Sequence, residues 1–405
     1  MENKGISKRL WQLFGILTII TVISFTGCSN PTGVVPSGGE DSEEESEEEV
    51  FKHPEPNDSS QEDELPDMVT ITFISNVKEN TQFKVTVEKE AVIKEPEDPE
   101  QDGMDFKGWV YKDEPTRQVA FKAPVTRDMT FIADWGTTGL EYGPGTRSGE
   151  FRIMNNRGLV AKTVVVPSFH NGTPVTAIDS RAFFTNSNIQ SVTIGAHIIS
   201  IGDAAFNDSG LTDITFANGS KLEIIGTRVF QGSNLTAIEI PAGVTVIEME
   251  TFSGITSRFA VTFANGSKLE KIEEKAFYRS GLTSIEIPAS VETLRDRVFA
   301  ETPHLDQVIF ARGSKVQSIP TEAFLNSSVR KVTLPNALER IQSSAFKNTK
   351  NLLELEIPST VTDIRDRSFD GWNDNQSIYI PFSIRSVPKG WGDWRKGCDA
   401  KIIES

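Results

Sequence analysis

The chain has 405 residues, a hydrophobic fraction of 37% that includes 25 phenylalanines, and a formal net charge of −16. That length and apolar content allow two or three domains with real cores, while the acidic balance argues against nucleic acid, whose phosphates need clustered Lys and Arg. Two cysteines, Cys28 and Cys398, and four histidines, His53, His170, His197 and His304, lie without ligand spacing, so no metal site is expected.

Residues 1–27 read as an export signal. Lys4, Lys8 and Arg9 form a positive n-region, and Leu10 to Phe25 form an apolar stretch broken by Gln12. It is too short and wrongly flanked for a membrane span. Phe25-Thr26-Gly27-Cys28 resembles a bacterial lipobox, with Phe25 at the usual Leu position. The resemblance implies cleavage before Cys28 and lipid on that cysteine; an ordinary signal peptide is the alternative. Two or three acyl chains, at about 0.8 kcal/mol per buried methylene, anchor a protein stably. A lipidated Cys28 leaves Cys398 without a disulfide partner.

Residues 28–67 are rich in Pro, Ser and Gly and carry an acidic run from Glu40 to Glu49. Too few apolar residues occur to offset chain entropy, and like charges extend the segment, so a disordered linker is expected.

Residues 68–136 form a small β-rich module. Val69, Ile71 and Phe73 alternate with threonines, and Phe83, Val85 and Val87 repeat the period of two. Phe106-Lys107-Gly108-Trp109-Val110 follows, and the segment closes on Pro124-Val125-Thr126 through Ala133-Asp134-Trp135. This order resembles the Listeria-Bacteroides repeat, or internalin B-repeat. The resemblance implies a β-grasp-like fold used as a spacer or adhesive module. Ser75-Asn76-Val77 lacks the paired glycines of that family. Trp109 and Trp135 are expected in the core, since large aromatics close small cores.

Residues 139–390 carry the most regular feature of the chain. Phenylalanine recurs at 183, 206, 230, 252, 277, 299, 324, 346 and 369, in steps of 22 to 25 residues. Such a period means stacked units, each burying its apolar face against its neighbours. In Leu282-Thr-Ser-Ile285-Glu-Ile287-Pro288, the isoleucines face one way and Ser284 and Glu286 the other. Pro288 ends the strand, and Val291, Leu294 and Phe299 return to the core. Gly-Ser-Lys turns at 219, 266 and 313 lengthen every second unit, which predicts a two-repeat corrugation. The pattern resembles the BspA-like leucine-rich repeat family, except that Asn186, Ser209 and Ser233 stand where cysteine is frequent. The resemblance implies a bacterial surface protein that adheres to extracellular-matrix proteins and aggregates with other bacteria. Residues 391–405, with Trp391 and Trp394, are expected to cap the solenoid end.

The fold class is therefore mainly β: a leucine-rich-repeat solenoid preceded by a small β-grasp-like module. Its parallel sheet presents two outward columns, and the candidate protein-binding residues on them are Asp213, Glu239, Glu286, Gln307, Ile309, Lys331, Glu354, Glu356 and Tyr379. Interface hot spots favour bulky groups, which directs attention to Ile309 and Tyr379. No nucleophile elbow, phosphate loop or zinc-protease motif occurs, so no enzyme, cofactor or small-molecule substrate is expected. The expected partners are host or bacterial surface proteins and, through Cys28, a membrane. The expected location is the outer membrane and cell surface. A second reading is a structural lipoprotein that spaces the envelope without a soluble ligand.

Overall fold

The computed structural model describes residues 66–76, 81–381 and 393–404. The export signal, Cys28, the acidic linker up to residue 65 and Trp391 lie outside the described residues, which contain strands and turns and no helix capable of crossing a membrane.

Four strands build the N-terminal module: β1 (Met68–Asn76), β2 (Thr81–Glu88), β3 (Met104–Tyr111) and β4 (Met129–Thr137). They form one sheet in the order β2-β1-β4-β3, with β1 and β4 parallel and both outer pairs antiparallel. The alternation read from the sequence turns Val69, Ile71 and Phe73 inward, where they pack with Ile93, Trp109, Val125 and Phe131. Trp109 is buried and meets Phe73 edge-on at 5.0 Å. Trp135 is half-buried, and its indole N–H donates to the Ser75 carbonyl at 2.8 Å. That bond secures the end of β1, beside the turn that lacks glycines.

The solenoid winds through eleven parallel strand positions on one face, from Thr163–Val166 to Lys401–Glu404. A second strand in most turns, such as Ser200–Ile201 or Lys271–Ile272, lines another side. All nine ladder phenylalanines are buried, and successive rings stack at 5.0 to 5.9 Å. The backbone around each ring has a feature not evident from the period. The residues two before and two after every ladder Phe have positive φ, as at Lys275 (56°) and Arg279 (53°). This bends the chain so that alternate N–H groups point at the next turn: Lys275, Phe277 and Arg279 donate to the carbonyls of Asp296, Val298 and Ala300. Left-handed backbone at non-glycine residues is costly in isolation, and here each instance is offset by a bond between turns.

Three residues after seven of the nine ladder phenylalanines, at the positions where the family resemblance suggests cysteine, the buried residue is polar; after Phe252 and Phe369 it is Ile255 and Trp372. The hydroxyls of Ser209, Thr302 and Thr349 donate to the carbonyl of their own Phe at 2.8 Å. A buried hydroxyl needs such a partner, and these three turns provide one, whereas the hydroxyls of Ser233, Ser280 and Ser327 at the equivalent places are buried without a partner among the described residues.

Proline accompanies every weakened step of the sheet, although strands that end at Pro335 and Pro381 still pair over three residues. Ala217, Ala264 and Ala311 follow their strands and donate to the last carbonyl of the strand before, Ile194, Ile240 and Ile287. Those strands pair over four residues with the preceding one. Where Pro241, Pro288, Pro335 or Pro358 stands instead, the N–H is missing. Pairing onto the preceding strand then falls to a single residue at Ala237, three at Lys331–Thr333, and none for Ser284–Ile287 or Glu354–Glu356. Across the middle of the array, fully paired steps at the Gly-Ser-Lys units alternate with weakly paired or open ones.

At the C-terminal end, Trp372 and Trp394 meet Phe369 edge-on, and Asp393 and Gly397 supply carbonyls to the N–H groups of Arg367 and Gly371. Residues 393–400 thus cover the core. Residues 401–404 do something the sequence reading did not foresee: they add a strand paired with Ser377–Ile380.

Module and solenoid lie in one compact unit, Glu64–Ser405. The end of β4 meets the first turn. Thr137 Oγ1 accepts the Val165 N–H at 2.7 Å, and the Asp134 carboxylate accepts the N–H groups of Ser168 and Phe169. The module therefore covers the N-terminal end of the solenoid.

Candidate functional site

Parallel register stacks the outward side chains into the two columns the repeat spacing implies. Gln307 stands beside Lys331, Glu286 beside Ile309 and then Thr333, and Glu356 beside Tyr379. Asp213, Glu239, Glu286, Lys331, Glu354 and Glu356 are exposed, while Gln307, Ile309 and Tyr379 are half-buried between neighbours. Asp213 and Glu239 lie toward the N-terminal half, where small residues such as Ala237, Ala260 and Thr262 surround them. The other seven candidates fall on five successive turns.

Within that group the open step between Lys331–Thr333 and Glu354–Glu356 forms a groove of about 1320 Å³. Lys331 and Thr333 line one wall, and Glu354, Glu356 and Tyr379 the other. Val332, Leu334 and Ile357, each nearly buried, lie along its floor. The Tyr379 hydroxyl reaches the Glu354 carboxylate at 3.5 Å. Among the described residues no ion pair involves Lys331, Glu354 or Glu356, whereas Arg330 on the rim is paired with Asp306 at 3.3 Å. Charges of both signs thus stand unpaired around a tyrosine.

Sequence reasoning missed two lining residues and one neighbour of Tyr379. Arg330, directly before its strand, and Lys350, in the turn ahead of the Glu354 strand, lie outside the two columns and line the groove. Ile403 lies beside Tyr379 on the added C-terminal strand; the short Lys401-Ile402-Ile403-Glu404 stretch has no period-two alternation to announce a strand.

Among the described residues no group of three or more His, Cys, Asp or Glu is placed to hold a metal ion. Cys398 is a free, buried thiol, and burial raises its pKa.

Residues 70–134 match the Listeria-Bacteroides repeat domain. Residues 176–306 and 298–391 match the BspA type leucine rich repeat region, together more than half of the chain. No curated protein matches the chain. Among solved structures it is similar to the pneumococcal vaccine antigen PcpA, at 22% identity over 67% of this chain and 88% of that one, TM-score 0.38. It is also similar to a leucine rich cell surface protein from Faecalibacterium prausnitzii, at 20% identity over 67% and 94%, TM-score 0.33. A leucine-rich repeat protein from Eubacterium ventriosum is 20% identical over 66% and 70%, TM-score 0.37. With its stacked phenylalanine turns and N-terminal β module, the chain belongs to the BspA type leucine rich repeat family.

Proposed function

We propose that the protein is a lipid-anchored bacterial surface protein whose solenoid binds proteins of a host matrix or of neighbouring bacteria. Cys28 carries the anchor, the acidic segment holds the folded part away from the bilayer, and the groove between Lys331 and Glu354 makes the contact. The observation that carries this reading is that groove: unpaired Lys331, Glu354 and Glu356 surround the half-buried Tyr379 on an otherwise smooth strand face. Tyrosine combines apolar area with a polar tip and is enriched at binding hot spots. Rim charges of both signs select partners through complementary potential.

The test is binding of the full-length protein to immobilised matrix proteins and to bacterial cells. Tyr379→Ala and Lys331→Glu are expected to weaken binding tenfold or more while leaving the melting temperature unchanged. Unchanged binding by both folded variants would remove the groove from the reading. Protease treatment of intact cells provides the second arm: loss of the repeats while a periplasmic control survives supports surface display.

A further inference from the structure

The N-terminal module has two sheet edges, and they are treated differently. Beside β3, the Tyr111 N–H donates to the Arg117 carbonyl and the Val119 N–H to the Trp109 carbonyl, so a neighbouring segment closes that edge. Among the described residues no backbone group pairs with the outer side of β2.

The register of β2 says what that edge offers. Val87, Val85 and Phe83 stand opposite Val69, Ile71 and Phe73, and the Lys89 N–H bonds the Asp67 carbonyl. Odd-numbered residues therefore direct their backbone groups at β1, and Gln82, Lys84, Thr86 and Glu88 direct theirs outward. The inner face of the strand is apolar and poorly covered. Phe83 is 42% and Val85 36% exposed, although Phe83 stacks on the buried Phe73 at 4.7 Å. An open edge backed by uncovered apolar side chains is a template for another strand.

We propose that β2 pairs antiparallel with β2 of a second copy, centred on Thr86. The occupant follows from the sequence of the edge itself. With Thr86 opposite Thr86, Lys84 faces Glu88 of the second copy, and the symmetric pair repeats it. Val85 faces Val87 twice on the inner side, so each copy covers the other's exposed Val85, while Phe83 faces Lys89. Only registers that set even residues opposite even residues match the outward backbone groups. Centring on Val85 loses both charge pairs, and centring on Lys84 sets the lysines opposite each other. Opposite charges across a strand pair stabilise it and like charges destabilise it, so this edge is complementary to itself. Two four-stranded sheets would join into one of eight strands.

Sedimentation equilibrium of the full-length chain in a density-matched detergent, over a wide concentration range, tests this. A reversible monomer–dimer equilibrium is expected. K84E sets two pairs of carboxylates against each other and should weaken association at least tenfold, and K84E/E88K should restore it by exchanging the charges. Unchanged melting temperatures for both variants verify that the module remains folded. A wild-type chain that stays monomeric throughout, as it would if the edge serves a foreign strand, overturns the proposal. A dimer whose association K84E leaves unchanged overturns it as well.

Discussion

The carboxylate of Asp134, near the end of β4, accepts the backbone N–H of Ser168 at 3.1 Å, and its other oxygen takes the N–H of Phe169 at 3.0 Å. Asp134 thereby satisfies two donors at the first turn of the solenoid. Burial nevertheless pushes its pKa up to about 7, against the lowering effect of both N–H bonds and of Lys107. In the unfolded chain the same group titrates near ~3.9. Between those values the folded chain holds a proton that the unfolded chain releases. Stability from this group is therefore greatest below about pH 4, falls as pH rises toward 7, and is level above it. Thermal melts from pH 4 to 8 should show this slope in the wild type. Asp134→Asn should lose it and should cost on the order of 1–3 kcal/mol at neutral pH, because one buried N–H then faces an amide donor. Equal pH slopes in the two proteins would dissociate Asp134 from the effect.

Phe277 lies between Phe252 and Phe299, at 5.3 and 5.6 Å, and is fully buried. Phe277→Ala removes a ring from the middle of the stack and leaves a cavity that neighbouring turns cannot fill. The expected cost is about 3–5 kcal/mol, read as a lower midpoint in denaturant. An unchanged midpoint would contradict the role assigned to the ladder.

Pro358, at the open step beside the groove, has no N–H to offer the Leu334 carbonyl. Pro358→Ala supplies the donor that Ala264 and Ala311 use at the equivalent place. The gained bond, about 0.5–1.5 kcal/mol, is largely offset by the looser unfolded chain, about 0.4–1 kcal/mol. Net stability should hardly change. Hydrogen exchange at Glu354 and Glu356 should slow about tenfold, on the order of the same hydrogen bond. If exchange stays fast, proline is not what separates these strands.

Cys398 is 7% exposed, and its thiol is raised above the usual range, chiefly by burial. Thiolate is the reactive form. A maleimide reagent should leave Cys398 unlabelled in the folded protein at neutral pH and label it fully in denaturant. Rapid labelling under native conditions would mean that the C-terminal turn opens readily.

Much of the solenoid was legible because its information is local. A strand of apolar residues at positions four and six, a proline, two more apolar residues and a phenylalanine recur often enough to reveal period, stacking direction and the two outward columns. Lys331, Glu354, Glu356 and Tyr379 were identifiable as outward residues on that basis alone. Their gathering around one groove was not, because it depends on a backbone bond missing between two turns. The positive φ values at Lys275, Arg297 and Glu322 were likewise hidden, since side chains of no shared type occupy those positions.

By itself the sequence determined the repeat, the β module and the acidic, cysteine-poor character of the chain, all of which follow from residue type and spacing. Tertiary structure decided which ends are covered and which remain open. Asp134 seats the module on the first turn, the C-terminal segment adds a strand beside Tyr379, the Glu354 strand parts from its neighbour, and β2 keeps a free edge. Each of these depends on which backbone donors and acceptors meet across distant segments, and hydrogen-bond partners at that range leave no period in the chain.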